Sequence, residues 1–494
     1  MNKTNTMSSY QQLVNHFEHI SHLQHLQSIC AWDGETMMPS GSAEQRSKAM
    51  AELDLVIHKA SNKAEIKQWL AAAESEPLTE LQASSLREMK RQIAIESALP
   101  ESLVKAKRLA GSQCEHQWRS QRANNDWQGF KKNLKEVVKL SREEAQIRAQ
   151  QQGLSPYDAM LDLYEPGMTT AELDKLFAEL QTWLPELITQ VQHKQANWHN
   201  DIDLRADIDL QHQLSLKVMS KLGFEFNLGR LDVSAHPFSG GVPTDLRITT
   251  HYHQSDFSSA LFSTIHETGH ACYEQYLPAA VAGLPAGLAR SMAIHEGMSL
   301  FYEMQLGRDP LFLETLLPEL NQTLNKQLSL QQLTQHLHKV SPSYIRIEAD
   351  EVTYPAHIIL RYQIEKAIIA GDVEVDDLPD LWQQLAQQLL GIDINGNHKL
   401  GVMQDIHWTD GSFGYFPSYT LGAMYAAQFK AAMAQQLEVT ELIKAAELGP
   451  IFNWLKQNIW SKGSLLTTSE LVIQATGEAL NPKHFEQHLK ARYL

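Results

Sequence analysis

Two histidines and a glutamate in residues 263–270, Ser-Thr-Ile-His-Glu-Thr-Gly-His, have the spacing of a metal site. On an α-helix, residues i and i+4 project from one face, so the imidazoles of His266 and His270 can reach a single ion. Glu267 is turned about 100° from His266 and can act on a water at the metal without binding the ion. This H-E-x-x-H pattern predicts a zinc peptidase with Glu267 as the general base.

A catalytic zinc takes three protein ligands, so a third must come from elsewhere in the chain. Glu274 lies eight residues beyond His266, about 12 Å along a helix axis, which is too far for convergence on one ion. The segment 293–299 opens a second helix, and Glu296 and Glu303 are its carboxylates. The spacing does not choose between these two glutamates.

The apolar residues of the chain recur mostly with helical spacing. Leu13, Phe17 and Ile20 begin such a stripe, and residues 63–151 are rich in Gln, Glu, Lys, Arg and Ala with almost no Gly or Pro. No Gly/Ser-rich linker and no internal repeat divides the sequence. We therefore expect a mainly α fold that forms a single catalytic domain over residues 1–494.

One segment departs from helical spacing directly before the metal motif. Two runs of alternating apolar residues, Leu231–Val233 and Leu246–Thr250, are separated by a stretch rich in Gly and Pro. This pattern predicts a small antiparallel sheet beside the metal helix. Either Asp256 or Ser255 can cap the start of that helix.

The composition limits the compartment and the partners. Hydrophobic residues make up 43 % and charged residues 20 %, as in a globular enzyme, and the net charge of −16 disfavours binding to nucleic acid. The first residues are polar without a secretory signal, and the apolar stretch 277–304 is interrupted by Pro and charged residues, so no membrane partner is expected. Three cysteines are too few for a disulfide framework, which favours the cytoplasm.

Further motifs follow in a characteristic order along the chain. They are Trp32-Asp33 with Met38-Pro39, His236-Pro237-Phe238, Asp245-Leu246-Arg247-Ile248-Thr249, His266-Glu267-x-x-His270, His295-Glu296, Ile345-Arg346-Ile347-Glu348-Ala349-Asp350, Gly401-Val402-Met403-Gln404-Asp405-Ile406-His407-Trp408 and Gly414-Tyr415-Phe416-Pro417-Ser418-Tyr419. With these motifs, the sequence resembles the carboxypeptidase Taq family nearly from end to end. One departure is Gly297-Met298 after Glu296, where the family commonly has Ser-Gln.

The resemblance implies a metallocarboxypeptidase that releases single C-terminal residues from peptides. It implies Glu296 as the third ligand of one Zn²⁺ ion per chain, with Co²⁺ as an alternative metal. It also implies a helical fold in two lobes around a deep substrate groove, similar to neurolysin and to other gluzincins, and a homodimer.

The remaining site residues are expected from their chemistry and their place in these motifs. The oxyanion of the reaction needs a donor, and His407, Tyr415 and Tyr419 are the candidates, without a choice among them. A free carboxylate suits an arginine fork, for which Arg346 is the first choice and Arg247 the second. The alternative for Arg247 is an ion pair with Asp245 on the same strand face.

Two further expectations concern single motifs near these residues. His236 joins the two arginines as a candidate substrate-binding residue. Pro355 is expected to kink the helix that carries His357 and Arg361.

Two other functions compete with a carboxypeptidase. A zinc endopeptidase or a dipeptidyl carboxypeptidase shares the metal chemistry and differs in how the groove closes beyond the cleaved bond. A helical interaction protein with a relic site is the other, but such a relic has no need to keep Glu267.

Overall fold

The computed structural model describes residues 7–198 and 202–494, most of which are helical. The α-helices are α1 (Ser9–Thr36), α2 (Ala43–Ser61), α3 (Glu65–Ala73), α4 (Glu80–Glu96), α5 (Glu101–Ala123), α6 (Trp127–Gln152), α7 (Pro156–Leu161), α8 (Thr170–Lys194), α9 (Ile208–Lys221), α10 (Phe257–Gln275), α11 (Met292–Leu300), α12 (Pro310–Leu324), α13 (Leu330–Leu337), α14 (Tyr354–Ala370), α15 (Leu378–Leu390), α16 (His407–Asp410), α17 (Pro417–Met433), α18 (Val439–Lys444), α19 (Gly449–Asn458), α20 (Thr468–Thr476) and α21 (Pro482–Tyr493). A π-helix, Phe301–Gly307, continues α11. The prediction of a mainly α fold is confirmed.

The three-stranded sheet consists of β1 (Gly229–Val233), β2 (Phe238–Val242) and β3 (Asp245–Thr250), in the order β1-β3-β2. The two predicted strands are present, but they pair in parallel, Leu231 opposite Ile248, so the antiparallel prediction is wrong for them. The Gly-rich stretch between them is itself a strand, which pairs antiparallel with β3. Because the chain reverses before and after β2, β1 and β3 run in the same direction. Gly241, at φ 133°, permits the turn into β3.

The helices that carry the metal motif begin at defined caps. Asp256 caps α10 by accepting hydrogen bonds from the backbone N–H groups of Ser258 and Ser259, as one of the two predicted caps. Ser291 caps α11 by accepting from the N–H of Ile294. Both caps satisfy donors that a helix leaves free in its first turn.

Two glycines let three helices approach closely around Glu296. A Cβ atom on Gly269 of α10 would lie 2.6 Å from the carbonyl oxygen of Met298 on α11. A Cβ atom on Gly422 of α17 would lie 2.9 Å from the Cβ of Glu296. Both positions therefore require glycine, and α11 is held between α10 and α17 at backbone distance.

Within residues 7–198 and 202–494, buried apolar side chains form one large cluster and one smaller cluster. The smaller cluster joins α1, α3 and α4 to the turn near Leu284, and the larger one includes the apolar face of α10, among it Ile265 and Phe262. In the part of the chain that the structure describes, no helix is long and apolar enough to cross a bilayer.

Helix α14 is regular where the sequence predicts a kink. Pro355 occupies its first turn, not its interior. Proline is tolerated there because the N–H that it lacks would have no acceptor within the helix. Pro355 therefore does not interrupt the helix as predicted, and His357 and Arg361 are buried one turn apart on α14.

Candidate active site

Three side chains from two helices bring their ligand atoms together. The Nε2 atoms of His270 and His266 lie 3.6 Å and 4.0 Å from Oε2 of Glu296. The ligand atoms of the three residues all lie within 4.8 Å of one another. Donor atoms around a tetrahedral zinc are roughly 3.4 Å apart, for bonds of about 2.1 Å. Two imidazoles and a carboxylate at this spacing fit a divalent cation such as Zn²⁺.

Glu303, the other candidate carboxylate, contacts His266 at the ring nitrogen that does not face Glu296. Oε2 of Glu303, in the π-helix, lies 3.0 Å from Nδ1 of His266, which leaves Nε2 of that ring facing Glu296. Arg308 donates to Glu303 at 2.8 Å. Burial acts to raise the pKa of Glu303, but Arg308 and His266 hold it below its usual value. Glu303 is therefore an ionised partner that orients His266 and is not part of the three-ligand cluster.

Carboxylates make the electrostatic potential negative around the cluster of His266, His270 and Glu296. Burial acts to lower the pKa of His266, yet Glu303, Glu296 and Glu267 raise it to about 9. Burial raises the pKa of both Glu296 and Glu267, and the two carboxylates repel each other. Such a concentration of negative charge in a buried place attracts a cation.

A cavity of about 770 Å³ opens at the cluster. Beside the metal-site residues, its lining includes Phe238, Ser239, Met292, Leu300, Met304, Arg346, Ile347, Glu351, Tyr354, Tyr415, Tyr419 and Phe485. Glu267 lines the same cavity, where a hydrogen bond with Ser239 on β2 acts to lower the pKa that burial raises. The edge strand β2 thus places a hydroxyl on the carboxylate predicted to be the general base.

Arg346 is 5 % exposed and borders this cavity. Its Nε donates to Oδ1 of Asp405 at 2.9 Å, and its Nη1 donates to the hydroxyl of Tyr354 at 2.7 Å. Asp405 also accepts from Nε of Arg361 at 2.7 Å. Two guanidinium groups thus share one carboxylate, which leaves one positive charge in excess at the cavity wall.

Two of the predicted oxyanion donors reach the cavity and one does not. Tyr415 and Tyr419 line it, and burial raises the pKa of Tyr415 to about 12, so its hydroxyl stays protonated near neutral pH and can donate a hydrogen bond. His407 lies behind Tyr419, with Nε2 3.3 Å from the Tyr419 hydroxyl. Burial, with Arg346 nearby, lowers the pKa of His407 to about 4. A neutral His407 can contact Tyr419 but does not border the cavity.

Arg247, the second candidate for binding a carboxylate, does not line the metal-site cavity. Arg247 donates to both carboxylate oxygens of Asp245, at 3.1 Å and 3.2 Å, and its Cζ lies 4.2 Å from the ring centroid of Trp32. It lines a separate cavity of about 540 Å³ beside α1. The alternative of an ion pair with Asp245 is therefore what the structure contains. His236 is exposed, does not border the metal-site cavity, and uses its backbone carbonyl to accept from Ser234.

The departure at residues 297 and 298 does not reach the cavity. Met298 is fully buried, and the indole Nε1 of Trp460 lies 3.1 Å from its Sδ. A Cβ atom on Gly297 would lie 3.2 Å from the carbonyl oxygen of Gly422. These positions belong to the packing of α11 against its neighbours.

Sequence reasoning missed several residues near the cluster. His295 lies between His270 and Glu274, and Ser239 and Tyr354 border the cavity. His295 had a signal, since it precedes Glu296 directly. Ser239 and Tyr354 had none, because nothing in their local sequence relates them to the metal motif.

Comparison with known proteins agrees with this geometry. A family model described as carboxypeptidase Taq (M32) metallopeptidase matches residues 12–493. The chain is 36 % identical to thermostable carboxypeptidase 1 of Thermus thermophilus, with 98 % of each chain covered, and 35 % identical to carboxypeptidase 1 of Bacillus subtilis, with 94 % of each covered. The solved structure of Trypanosoma cruzi metallocarboxypeptidase 1 superposes with a TM-score of 0.96 at 41 % identity, covering 98 % of this chain and 99 % of that one. The chain therefore belongs to the carboxypeptidase Taq (M32) family of metallopeptidases.

Proposed function

We propose that this metallocarboxypeptidase uses one Zn²⁺ ion, held by His266, His270 and Glu296, to release single residues from the C-termini of peptides. The observation that carries the proposal is the meeting of this cluster, Glu267 and Arg346 in one cavity. The cluster suits bond cleavage, and a buried guanidinium suits a free carboxylate. When bound, the ion lowers the pKa of a water and polarises the scissile carbonyl as a Lewis acid.

Glu267 moves the proton in this proposal. Its carboxylate accepts a proton from the attacking water and delivers it to the nitrogen of the leaving amine. Burial raises its pKa, which brings its proton affinity closer to that of a base working near neutral pH. Glu267 and Ser239 both line the cavity, and the hydrogen bond between them acts to lower the pKa that burial raises.

The tyrosines supply hydrogen bonds to the negative oxygen that develops on the scissile carbonyl. Tyr415 and Tyr419 are both protonated near neutral pH, because burial raises the pKa of each hydroxyl. Their rings lie 5.3 Å apart, so the two donors address one region of the cavity. His407 holds Tyr419 from behind.

Arg346 selects the substrate in this proposal by binding the terminal carboxylate. Asp405 and Tyr354 fix the orientation of the guanidinium, and two of its five N–H groups are used by them. Three remain for a ligand, enough for a paired contact with a carboxylate. Arg247 is the second choice, because its fork is already closed on Asp245.

A pair of matched peptides tests the proposal. We expect rapid release of the last residue from a peptide with a free C-terminus and little cleavage of the same peptide as its amide. An endopeptidase would cut both, and a dipeptidyl carboxypeptidase would release two residues together. Zinc analysis should find one ion per chain, with activity lost on chelation and restored by Zn²⁺ or Co²⁺.

The wider organisation remains part of the same proposal. It comprises a single catalytic domain over residues 1–494 in two lobes around a groove, as in neurolysin, a homodimer, and a cytoplasmic location. Light scattering of the purified protein tests the dimer, and a peptide-bound crystal structure tests the groove.

A further inference from the structure

His295 of α11 contacts two residues of α10 beside the metal cluster and lines the same cavity. Its Nδ1 lies 2.6 Å from Nδ1 of His270 on α10, and the two ring centroids are 4.6 Å apart. Its Nε2 lies 2.8 Å from Oε1 of Glu274, one turn beyond His270 on α10. The three side chains are largely buried, at 21 %, 14 % and 23 % exposed for His295, His270 and Glu274.

The position of each hydrogen in this chain follows from the donors and acceptors available. A carboxylate oxygen accepts, so Nε2 of His295 is the donor towards Glu274, and an imidazole with its one hydrogen on Nε2 has a lone pair on Nδ1. The Nδ1 of His295 is then an acceptor, and the facing Nδ1 of His270 must be the donor. The remaining nitrogen of His270, Nε2, carries a free lone pair, and this is the atom 3.6 Å from Glu296.

We propose that Glu274 and His295 are positioning residues that hold His270 in the tautomer and ring orientation able to bind the metal. This inference rests on the proposed metal site. His266 receives its carboxylate directly from Glu303, whereas His270 receives the influence of Glu274 through an intervening imidazole.

The position of His295 between His270 and Glu274 reduces electrostatic repulsion at the cation site. Three carboxylates, those of Glu267, Glu296 and Glu303, already surround the cation site and affect the pKa of His266. A fourth carboxylate in direct contact with His270 would add to their mutual repulsion. With His295 between them, Glu274 fixes the hydrogen on His270 while its charge stays one ring away.

Two substitutions at position 295 separate positioning from simple space filling. His295→Phe keeps a ring of similar shape and removes both nitrogens. His295→Gln restores an acceptor for Nδ1 of His270 and a donor for Glu274. We expect zinc affinity, measured by competition with a chromophoric chelator, to fall by roughly 10- to 100-fold in His295→Phe. His295→Gln should recover most of that loss.

The carboxylate has its own variant and a matched control. Glu274→Gln should weaken zinc binding by less than His295→Phe, because the amide oxygen still accepts from His295 while the charge is lost. Glu478→Gln removes the carboxylate of a surface pair, whose oxygen lies 2.7 Å from Nε2 of His484, and should leave zinc affinity unchanged. Circular dichroism and melting temperature show whether each variant is folded.

A spectroscopic readout distinguishes positioning from stability. The visible absorption of the Co²⁺-loaded protein reports the geometry of its ligands, and it should change in His295→Phe and return towards wild type in His295→Gln. Wild-type zinc affinity in His295→Phe, or equal losses in the Phe and Gln variants, would overturn the inference and leave the proposed function intact. A wild-type protein that binds no zinc would overturn both.

Discussion

Removing the guanidinium of Arg346 should abolish the preference for a free C-terminus. In Arg346→Ala, Asp405 keeps its contact with Arg361, so the wall of the cavity does not gain an unpaired carboxylate. The lost group is the excess positive charge that faces the cavity. The substitution therefore affects substrate binding more than the neighbouring core.

The expected fall in kcat/KM follows from the burial of Arg346 together with the substrate carboxylate that it binds. Arg346 is 5 % exposed, so a substrate carboxylate bound to it is also withdrawn from water. Removing one partner of such a pair leaves a buried, uncompensated charge, at a cost of about 3 kcal/mol. That corresponds to a fall of about 100-fold in kcat/KM for free-acid peptides. A peptide amide has no such charge to lose, and its slow cleavage should change little.

The assay compares kcat/KM for one peptide as its free acid and as its amide. Arg346→Lys keeps the charge but loses the fork, and should fall between wild type and Arg346→Ala. Arg247→Ala is the matched control, since Arg247 is also paired with an aspartate but lines a separate cavity. If Arg346→Ala lowers both substrates equally, or neither, the assignment is wrong. If Arg247→Ala alone abolishes the preference, the anchor lies on β3.

Three further predictions concern the metal site and one buried carboxylate. Glu267→Gln should keep the metal while kcat falls by roughly 100-fold or more, and a variant with a tenth of wild-type kcat would contradict its role as the base. Glu296→Ala should lose zinc and activity together, whereas Glu303→Ala should keep the ion with roughly 10- to 100-fold lower affinity; full zinc content in Glu296→Ala would refute its place in the cluster. Burial raises the pKa of Glu165 to about 7, so its contribution to stability is complete below the unfolded value of 4.5 and is lost as pH rises through 7. Its Oε1 accepts from Ser418 and from the N–H of Ala293, so the amide oxygen of Glu165→Gln can keep both bonds. The free energy of unfolding of that variant, measured with urea, should match that of wild type at low pH and exceed it by up to about 3 kcal/mol above pH 7. The same difference between the two proteins at every pH would contradict a raised pKa of Glu165.

Local chemistry in the sequence was enough to predict the helical fold and the metal helix. The i, i+4 histidines and the Asp256 cap act within a few turns of one helix, and α10 forms as they indicate. The spaced motifs also predicted the family, which the comparisons confirm. These features depend on neighbours in the chain, so the sequence displays them directly.

The pairing of strands depended on contacts that the sequence does not display. The stretch between β1 and β3 has few apolar residues, and its glycines are typical of a turn, yet it forms the edge strand β2. An extra strand reverses the chain once more, and β1 and β3 become parallel. Hydrogen bonding along β3 therefore outweighed the local preference of the segment.

Only the tertiary structure shows where each glutamate and each arginine of the candidate site lies. Glu296 and Glu303 lie seven residues apart on one continuous helical segment, so spacing cannot say which faces the two Nε2 atoms and which faces Nδ1 of His266. Arg346 and Arg247 are equally suited to a carboxylate by type, but one borders the cavity and the other is closed on Asp245. Such roles depend on the distances between helices, which are set by close packing at glycines such as Gly269 and Gly422 and are not displayed by the sequence.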